Sequence, residues 1–217
     1  FAVVKKKIEN SCWSCLPKYT GTEISYWLNV MNKNAFIKEL WPAQHIIGKE
    51  GILSGKSAII QMPTSAGKTR SIELIIRSAF ISERTSVALI VAPFRSLCHE
   101  IKNHFSEAFE NEPVNVNELS DVMQIDFEFV KFKDQKHVIV VTPEKLVYVL
   151  RHTPELASKI GLMIFDECHQ FDNDVRGITY ELLITSLKLM VSDNIQKILI
   201  SAVISNAKEI GKWFIGE

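Results

Sequence analysis

The sequence predicts an α/β domain, a mainly parallel sheet flanked by helices, behind a helical N-terminal extension. From Ser57 onward, short runs rich in β-branched residues alternate with longer stretches of helical periodicity. This alternation is typical of a parallel sheet covered by helices. Two of the runs are followed directly by a proline, and the first is followed by a Gly-Lys-Thr triplet. We therefore assign residues 1–37 to the extension and residues 38–217 to the α/β domain.

Six apolar runs have the length and composition of buried strands. They are SAIIQM (57–62), SVALIVA (86–92), VNVNEL (114–119), HVIVVT (137–142), GLMIFD (161–166) and KILISA (197–202). Residues 69–82, 95–105 and 178–191 have the apolar spacing of helices that pack on a sheet. Pro93 and Pro143 follow strands directly, and we expect each in the first turn of a helix, where its missing N–H costs nothing.

Residues 1 to about 55 lack this alternation and predict two or more helices, including helices over 24–39 and 43–53. Among the 217 residues, 47% are hydrophobic, and 25 basic side chains balance 25 acidic ones, as in ordinary soluble domains. Any nucleic-acid surface would have to be a local basic patch. The apolar runs are far shorter than the roughly 18 residues of a membrane span, and the N-terminus lacks the order of a secretory signal. We therefore expect an intracellular protein with no membrane partner.

The four cysteines include one Cys-x-x-Cys pair, CWSC, formed by Cys12 and Cys15. No second pair and no nearby histidine pair completes the usual set of zinc ligands. No strand of the kind found in redox βαβ units precedes the pair. We predict reduced thiols, and the alternative is a half-site shared with another domain or subunit.

The first functional motif is MPTSAGKT at 62–69, between the first strand and the first sheet-packing helix. A phosphate-binding loop needs free backbone N–H groups, a lysine ammonium for the β and γ phosphates, and a hydroxyl for magnesium. Gly67, Lys68 and Thr69 supply these groups in order. Met62 stands where the first glycine of such a loop is usual, so a surface Gly-Lys-Thr at a helix start is the alternative.

Further candidates lie at other predicted strand ends and upstream of the loop. In FDECHQ (165–170), Asp166 could hold magnesium and Glu167 could polarise an attacking water, since both follow a buried strand. His169 is otherwise a core or surface histidine. Ser201 ends the last strand, where it could be a plain strand terminus. Gln44 in LWPAQ (40–44) could offer its amide to a base, or simply be solvated.

Taken together, these motifs resemble a known family. LWPAQ, MPTSAGKT, APFRSL, VTPEKL, DECH and SAVIS are similar, in order and approximate spacing, to the motifs of the first RecA-like domain of superfamily 2 DExH-box helicases. Within that superfamily, PTSAGKT, RGITYELL and SNAKEIGKW resemble the Ski-type branch. The resemblance covers roughly residues 38–215, and it implies a RecA-like P-loop NTPase domain.

The resemblance also implies a role for each matching residue. Gln44 would read the adenine of ATP. Lys68, Asp166, Glu167 and His169 would form the catalytic set, with Thr69 and Asp166 on Mg²⁺ and with Ser201 and His169 coupling the ATP site to nucleic acid. The triphosphate would be cradled by Thr64, Ser65, Ala66, Gly67, Lys68 and Thr69. Nucleic acid would be contacted by Pro93, Phe94, Arg95, Thr142, Pro143 and Glu144.

The sequence departs from the family at two points. The Thr-Gly-Asp-like turn that usually follows the third strand reads ELSDV here, so only Asp121 is kept. A second RecA-like domain, whose arginines complete the ATP site, would lie outside this chain. We interpret the chain as the first motor domain of an ATP-dependent helicase acting on nucleic acid, with DNA favoured over RNA. The alternatives are a non-catalytic interaction module with the same fold and an unrelated small-molecule kinase.

Overall fold

The computed structural model describes residues 1–119, 135–167, 174–191, 194–203 and 207–216. All six predicted strands are confirmed, each within one residue of its predicted bounds. They are β1 (Ala58–Gln61), β2 (Val87–Val91), β3 (Val114–Glu118), β4 (Lys136–Val141), β5 (Leu162–Asp166) and β6 (Gln196–Ser201). Every residue of β2, β5 and β6 is buried. Continuous apolar runs of this kind are expected in a parallel sheet that is covered on both faces.

The six strands form one sheet in the order β1-β6-β5-β2-β4-β3, and every neighbouring pair is parallel. The carboxyl ends of all strands therefore lie along one edge. Gln61 of β1 pairs with Ser201 of β6, and Asp166 of β5 pairs with Ile200. Beyond the ends of β2 and β4, the Ala92 N–H donates to the Val141 carbonyl at 3.0 Å. This register groups the candidate residues into two sets, one beyond β5 and β6 and one beyond β2 and β4.

The α-helices of the described residues are α1 (Ala2–Asn10), α2 (Cys12–Thr20), α3 (Leu28–Met31), α4 (Pro42–Lys49), α5 (Lys68–Ile81), α6 (Arg95–Ala108), α7 (Pro143–His152), α8 (Asp174–Met190) and α9 (Ala207–Ile210). The helices predicted over 69–82, 95–105 and 178–191 are confirmed as α5, α6 and α8. Pro143 opens α7, as predicted. Pro93 was placed wrongly in a first helical turn, because Phe94 is extended and α6 begins only at Arg95.

The chain divides into two compact units. The first contains Phe1–Lys56 and Met62–Arg84, and the second contains Ser57–Gln61 and Thr85–Glu217. In the second unit, α6 packs on β3 and β4, whereas α7 contacts α8. One core cluster joins alternate residues of the strands to apolar residues of α7 and α8. Among them, Phe165 of β5 meets Phe214 edge to face, with ring centroids 5.4 Å apart.

In the first unit, the helix predicted over 24–39 is wrong. A 3-10 turn (Ile24–Trp27) and the short α3 are followed by non-helical chain up to α4. Asparagines 32 and 34 disfavour a helix, because their side chains compete for backbone hydrogen bonds. The extended chain instead pairs with the start of α2: the Cys12 N–H donates to the Lys38 carbonyl, and the Leu40 N–H donates to the Asn10 carbonyl. The predicted helix 43–53 is confirmed only up to Lys49, with turns after it.

The CWSC pair lies at the start of α2, with both side chains buried. The Cys12 thiol donates to the Ile37 carbonyl at 3.2 Å, and the Cys15 thiol donates to the Glu9 carbonyl at 2.9 Å. Burial, together with the neighbouring Cys15, raises the pKa of Cys12 to about 12. Because metal binding and disulfide exchange require the thiolate, these contacts support two protonated structural thiols. Across the described ranges, no helix combines the length and the apolar character needed to cross a bilayer.

Candidate functional site

The phosphate-type loop continues from the end of β1 into α5. Residues Thr64–Ala66 form a 3-10 turn, and Gly67 caps α5 with a left-handed backbone, φ +84°. The Ala66 N–H donates to the Pro63 carbonyl at 3.0 Å, which closes the turn. The Ser71 N–H and hydroxyl both donate to the Gly67 carbonyl, at 2.9 and 3.0 Å. The loop is thus tied to the first turn of α5, where backbone N–H groups have no partner within the helix.

Gly67 is required by both its conformation and its surroundings. A β-carbon at this position would lie 3.3 Å from Nε2 of Gln44 and 3.5 Å from the Trp41 ring. A positive φ is adopted readily only by glycine. Gln44 and Trp41, which precede Gly67 by more than twenty residues in the sequence, therefore lie close to it.

Gln44 is almost fully buried, and its orientation is set by the start of α4. Its Oε1 accepts the backbone N–H of Trp41 at 2.9 Å, an interaction that also caps the helix. With the oxygen held in this way, Nε2 is the end of the amide that faces Gly67. Trp41 is 54% exposed although its ring lies close to Gly67. Sequence reasoning overlooked Trp41, and its only signal was its position inside LWPAQ.

The remaining residues of the loop differ in burial. Lys68, the first residue of α5, is only 6% exposed, and burying an ammonium group requires negative partners. Ser65 is exposed, and Ala66 and Thr69 are half-buried. Met62, the departure from a generic phosphate loop, is 3% exposed. It therefore occupies a core position, where its large apolar side chain is appropriate.

Helix α5 contains a buried ion pair between two of its own residues. Arg77 Nε donates to Glu73 Oε1 at 2.8 Å, and both side chains are at most 3% exposed. Arg70 donates to the other carboxylate oxygen, Oε2, at 2.9 Å. The Arg77 guanidinium also lies over the Phe36 ring, 5.6 Å from its centroid. The ion pair lies within α5, and the Phe36 contact links the helix to the segment that precedes α4.

The acidic residues lie at the carboxyl end of β5. Asp166 is the last residue of the strand and is 3% exposed. The Glu167 N–H donates to Asp166 Oδ1 at 2.9 Å, and Glu167 has a left-handed φ of +52°, which is uncommon outside glycine. The hydroxyl of Ser201, on the neighbouring strand β6, donates to Glu167 Oε2 at 3.4 Å. The structure therefore brings Asp166, Glu167 and Ser201 together.

Two residues singled out in the sequence, His169 and Asp121, lie outside the described residues. Cys168 does as well, so the described part of DECH ends at Glu167.

The second set of candidates lines a cleft beyond the ends of β2 and β4. The cleft has a volume of about 510 Å³ and is lined by Pro93, Phe94, Arg95, Thr142, Glu144, Lys145 and Tyr148. Five of the six residues predicted to contact nucleic acid are thus neighbours, whereas the sixth, Pro143, is buried in the first turn of α7. Lys145 and Tyr148 were missed. Their signal was the helical spacing that places them on the same face of α7 as Glu144.

A parallel six-stranded sheet, a phosphate-type loop after its first strand, and an Asp-Glu pair at another strand end define a RecA-like nucleotide-binding domain. The DEAD/DEAH box helicase family matches residues 42–210. The chain therefore belongs to the DEAD/DEAH box helicase family.

Individual relatives agree with this assignment. The chain is 32% identical, over its full length, to 20% of the Hachiman protein HamB of Bacillus cereus. It is 30% identical, over 86% of its length, to 24% of the ATP-dependent DNA helicase Hel308 of Methanococcus vannielii. The chain thus spans about a fifth to a quarter of the length of these relatives.

Solved structures show the same fold. The DEAD-box helicase Mss116 bound to ssRNA and UDP-BeF has a TM-score of 0.67 at 21% identity, covering 89% of this chain and 41% of Mss116. The DUF1998 helicase MrfA bound to DNA and AMPPNP has a TM-score of 0.65 at 22% identity, covering 87% of this chain and 27% of MrfA.

Proposed function

We propose that this chain is the first RecA-like motor domain of a nucleic-acid-dependent ATPase that couples ATP hydrolysis to translocation on, or unwinding of, DNA or RNA. The observation that carries the proposal is the cluster of Asp166, Glu167 and Ser201 at the carboxyl end of β5 and β6. Ligands of open α/β sheets bind at this edge. We assign the domain to the Ski-type branch on the three segments PTSAGKT, RGITYELL and SNAKEIGKW.

The loop and the residues beside it are suited to ATP. Gln44 Nε2 would donate to the adenine ring, since Oε1 is already used by the start of α4. The backbone of the loop and the Lys68 ammonium would bind the β and γ phosphates. Trp41, which is exposed and lies close to Gly67, would form a wall of the nucleotide pocket.

The acidic residues and the Thr69 hydroxyl are suited to Mg²⁺, because carboxylate and hydroxyl oxygens are hard ligands. Asp166 and Thr69 would hold the ion. When bound, Mg²⁺ neutralises negative charge on the phosphates of ATP. The Glu167 carboxylate would orient the attacking water and accept its proton. The Ser201 hydroxyl donates to Glu167 Oε2. Through this hydrogen bond, a change in the position of the carboxylate would be transmitted to the end of β6.

Nucleic acid would bind at the cleft beyond β2 and β4. The helices α6 and α7 begin there, and backbone N–H groups at helix starts bind phosphates without reading sequence. DNA is favoured over RNA because a relative at 30% identity is named a DNA helicase. A second RecA-like domain would supply the arginines that stabilise the transition state. The alternative of a non-catalytic module would fit a chain lacking Lys68, Thr69, Asp166 or Glu167, and all four are present.

The test separates ATP binding from hydrolysis through Glu167→Gln. We expect this chain to bind ATP in a Mg²⁺-dependent manner by isothermal titration calorimetry, with the variant within about twofold of wild type because the amide keeps the size of the carboxylate. In the longer protein carrying both RecA-like domains, loss of the base should lower nucleic-acid-stimulated hydrolysis by about 10²- to 10⁴-fold. A chain that binds no ATP, or a variant with full turnover, contradicts the proposal.

A second test exploits the geometry at Gly67. Gly67→Ala should weaken ATP binding by about ten- to a hundredfold, the equivalent of about 1.4–2.8 kcal/mol, since a side chain strains the left-handed backbone of the loop whose N–H groups would bind the phosphates. The added methyl group would displace Nε2 of Gln44 by a few tenths of an ångström, whereas it would make an ordinary van der Waals contact with the Trp41 ring. Gly21→Ala is the matched control, because Gly21 has φ +70° but nothing within 4 Å of an added β-carbon. Both variants should lose about 1–2 kcal/mol of stability from the strained φ. Unchanged ATP affinity in Gly67→Ala would refute the assignment of the loop.

A further inference from the structure

We propose that Phe94 and Tyr148 form an aromatic platform on which bases of a single-stranded nucleic acid stack, with Arg95 and Lys145 beside the phosphates. The platform rests on the proposed function and specifies the form of its substrate, which is single-stranded nucleic acid. It adds base contacts to a cleft for which backbone contacts alone were expected.

The two rings come from neighbouring parts of the sheet edge. Phe94 precedes α6 at the end of β2, and Tyr148 lies one turn into α7, which follows β4. Both line the same cleft of about 510 Å³. Their side chains are 43% and 42% exposed, although large aromatic residues bury most of their surface in a stable core. Two half-exposed rings in one cleft offer apolar faces to a flat ligand.

The tyrosine ring is held in place by its own helix. His152 stacks on it with ring centroids 4.0 Å apart and an angle of 27° between planes. His152 Nδ1 also lies 2.8 Å from the Tyr148 carbonyl oxygen, which ties the histidine to α7. A ring that is already ordered loses little conformational entropy when a base stacks on it.

The charges beside the rings favour a polyanion. Among the described residues that line the cleft, Arg95 and Lys145 are basic and Glu144 is acidic. The Lys145 ammonium lies 5.6 Å from the centroid of the Tyr148 ring, so cation and aromatic face are presented together. Aromatic faces flanked by cations are how proteins bind single strands, whose bases are free to stack, whereas the bases of a duplex already stack on one another.

The experiment compares oligonucleotides that differ only in their bases. Binding of the 217-residue chain to fluorescein-labelled 15-mers is measured by anisotropy, using oligothymidylate, oligouridylate and a wholly abasic strand of equal length. Tyr148→Ala should weaken binding of the base-containing strands by about five- to a hundredfold, the usual effect of losing one stacking contact. Its affinity for the abasic strand should stay within about twofold of wild type.

Three further variants sharpen the result. Tyr148→Phe keeps the ring and should bind like wild type. Lys145→Ala should weaken all strands alike, since it removes a phosphate contact. Tyr26→Ala removes a tyrosine that is 64% exposed on the first unit and should change nothing.

Each outcome has a defined meaning. Equal losses on base-containing and abasic strands in Tyr148→Ala, or no loss on either, overturn the platform and leave the proposed function standing. Equal losses on a 15-base-pair duplex and on single strands also overturn it. A wild-type chain that binds none of the strands overturns the proposed nucleic-acid function, and the platform with it.

Discussion

Replacing Lys68 with alanine should weaken ATP binding by about ten- to a hundredfold, the effect of losing hydrogen bonds to a charged ligand. Hydrolysis by a protein that joins this domain to a second RecA-like domain, as proposed above, should fall by about 10²- to 10³-fold, as when one donor to the developing charge is removed. The reason is position: Lys68 is buried at the first residue of α5, directly after the left-handed Gly67. A lysine at another position on the surface could not take its place.

The Lys68 prediction is measured by calorimetric titration with ATP and by phosphate release in the presence of nucleic acid. Lys159→Ala is the control, since Lys159 is exposed after α7 and lies in no candidate site. A thermal melt of each variant separates loss of binding from loss of fold. Full nucleic-acid-stimulated hydrolysis in Lys68→Ala would show that the loop is not an ATP site.

Arg77→Ala should destabilise the fold by about 3–5 kcal/mol, because it leaves the Glu73 carboxylate buried with one of its two arginines removed. Arg77 is 2% exposed and bonds Glu73 at 2.8 Å while covering the Phe36 ring. The loss is measured as the free energy of unfolding in urea. It should also loosen the segment before α4, which depends on the Phe36 contact.

Two matched variants test the cause of that loss. Arg70 bonds the same carboxylate but its side chain is 36% exposed, so Arg70→Ala should cost less than about 1 kcal/mol. Replacing both Glu73 and Arg77 with methionine should recover most of the stability lost in Arg77→Ala, because no uncompensated charge remains in the interior. Equal effects of Arg70→Ala and Arg77→Ala would contradict the argument.

The strands of the sheet could be predicted from the sequence because the patterns that indicate them are local. Continuous β-branched runs, helical spacing between them and a proline at the start of α7 each lie within a few residues, and all six strands were found from them. The prediction of a helix over 24–39 was wrong for the opposite reason. The conformation of this segment is set by hydrogen bonds from Cys12 and Leu40 to residues distant in sequence, and by Phe36 lying under Arg77. Such contacts leave no periodic trace in the segment itself.

The features of the candidate site also divide into those that the sequence predicted and those that only the structure showed. Motif order was enough to select Gln44, Lys68, Asp166, Glu167 and Ser201, because their chemistry is read from residue type and place in the chain. It could not predict that Trp41 lies against Gly67 or that Glu167 adopts a left-handed backbone. Nor could it join Tyr148 to Phe94, since the cleft exists only because β2 and β4 are neighbours in the sheet.

The sequence by itself determined the class of protein and the strands, and it predicted which residues would carry phosphate and acid chemistry. Each depends on short-range patterning that any parallel α/β chain must satisfy. The tertiary structure alone decided strand order, and with it which strand ends meet. Strand order is the outcome of helices packing on both faces of the sheet. It therefore follows from contacts between distant residues, and it sets both the pairing of Ser201 with Glu167 and the aromatic cleft.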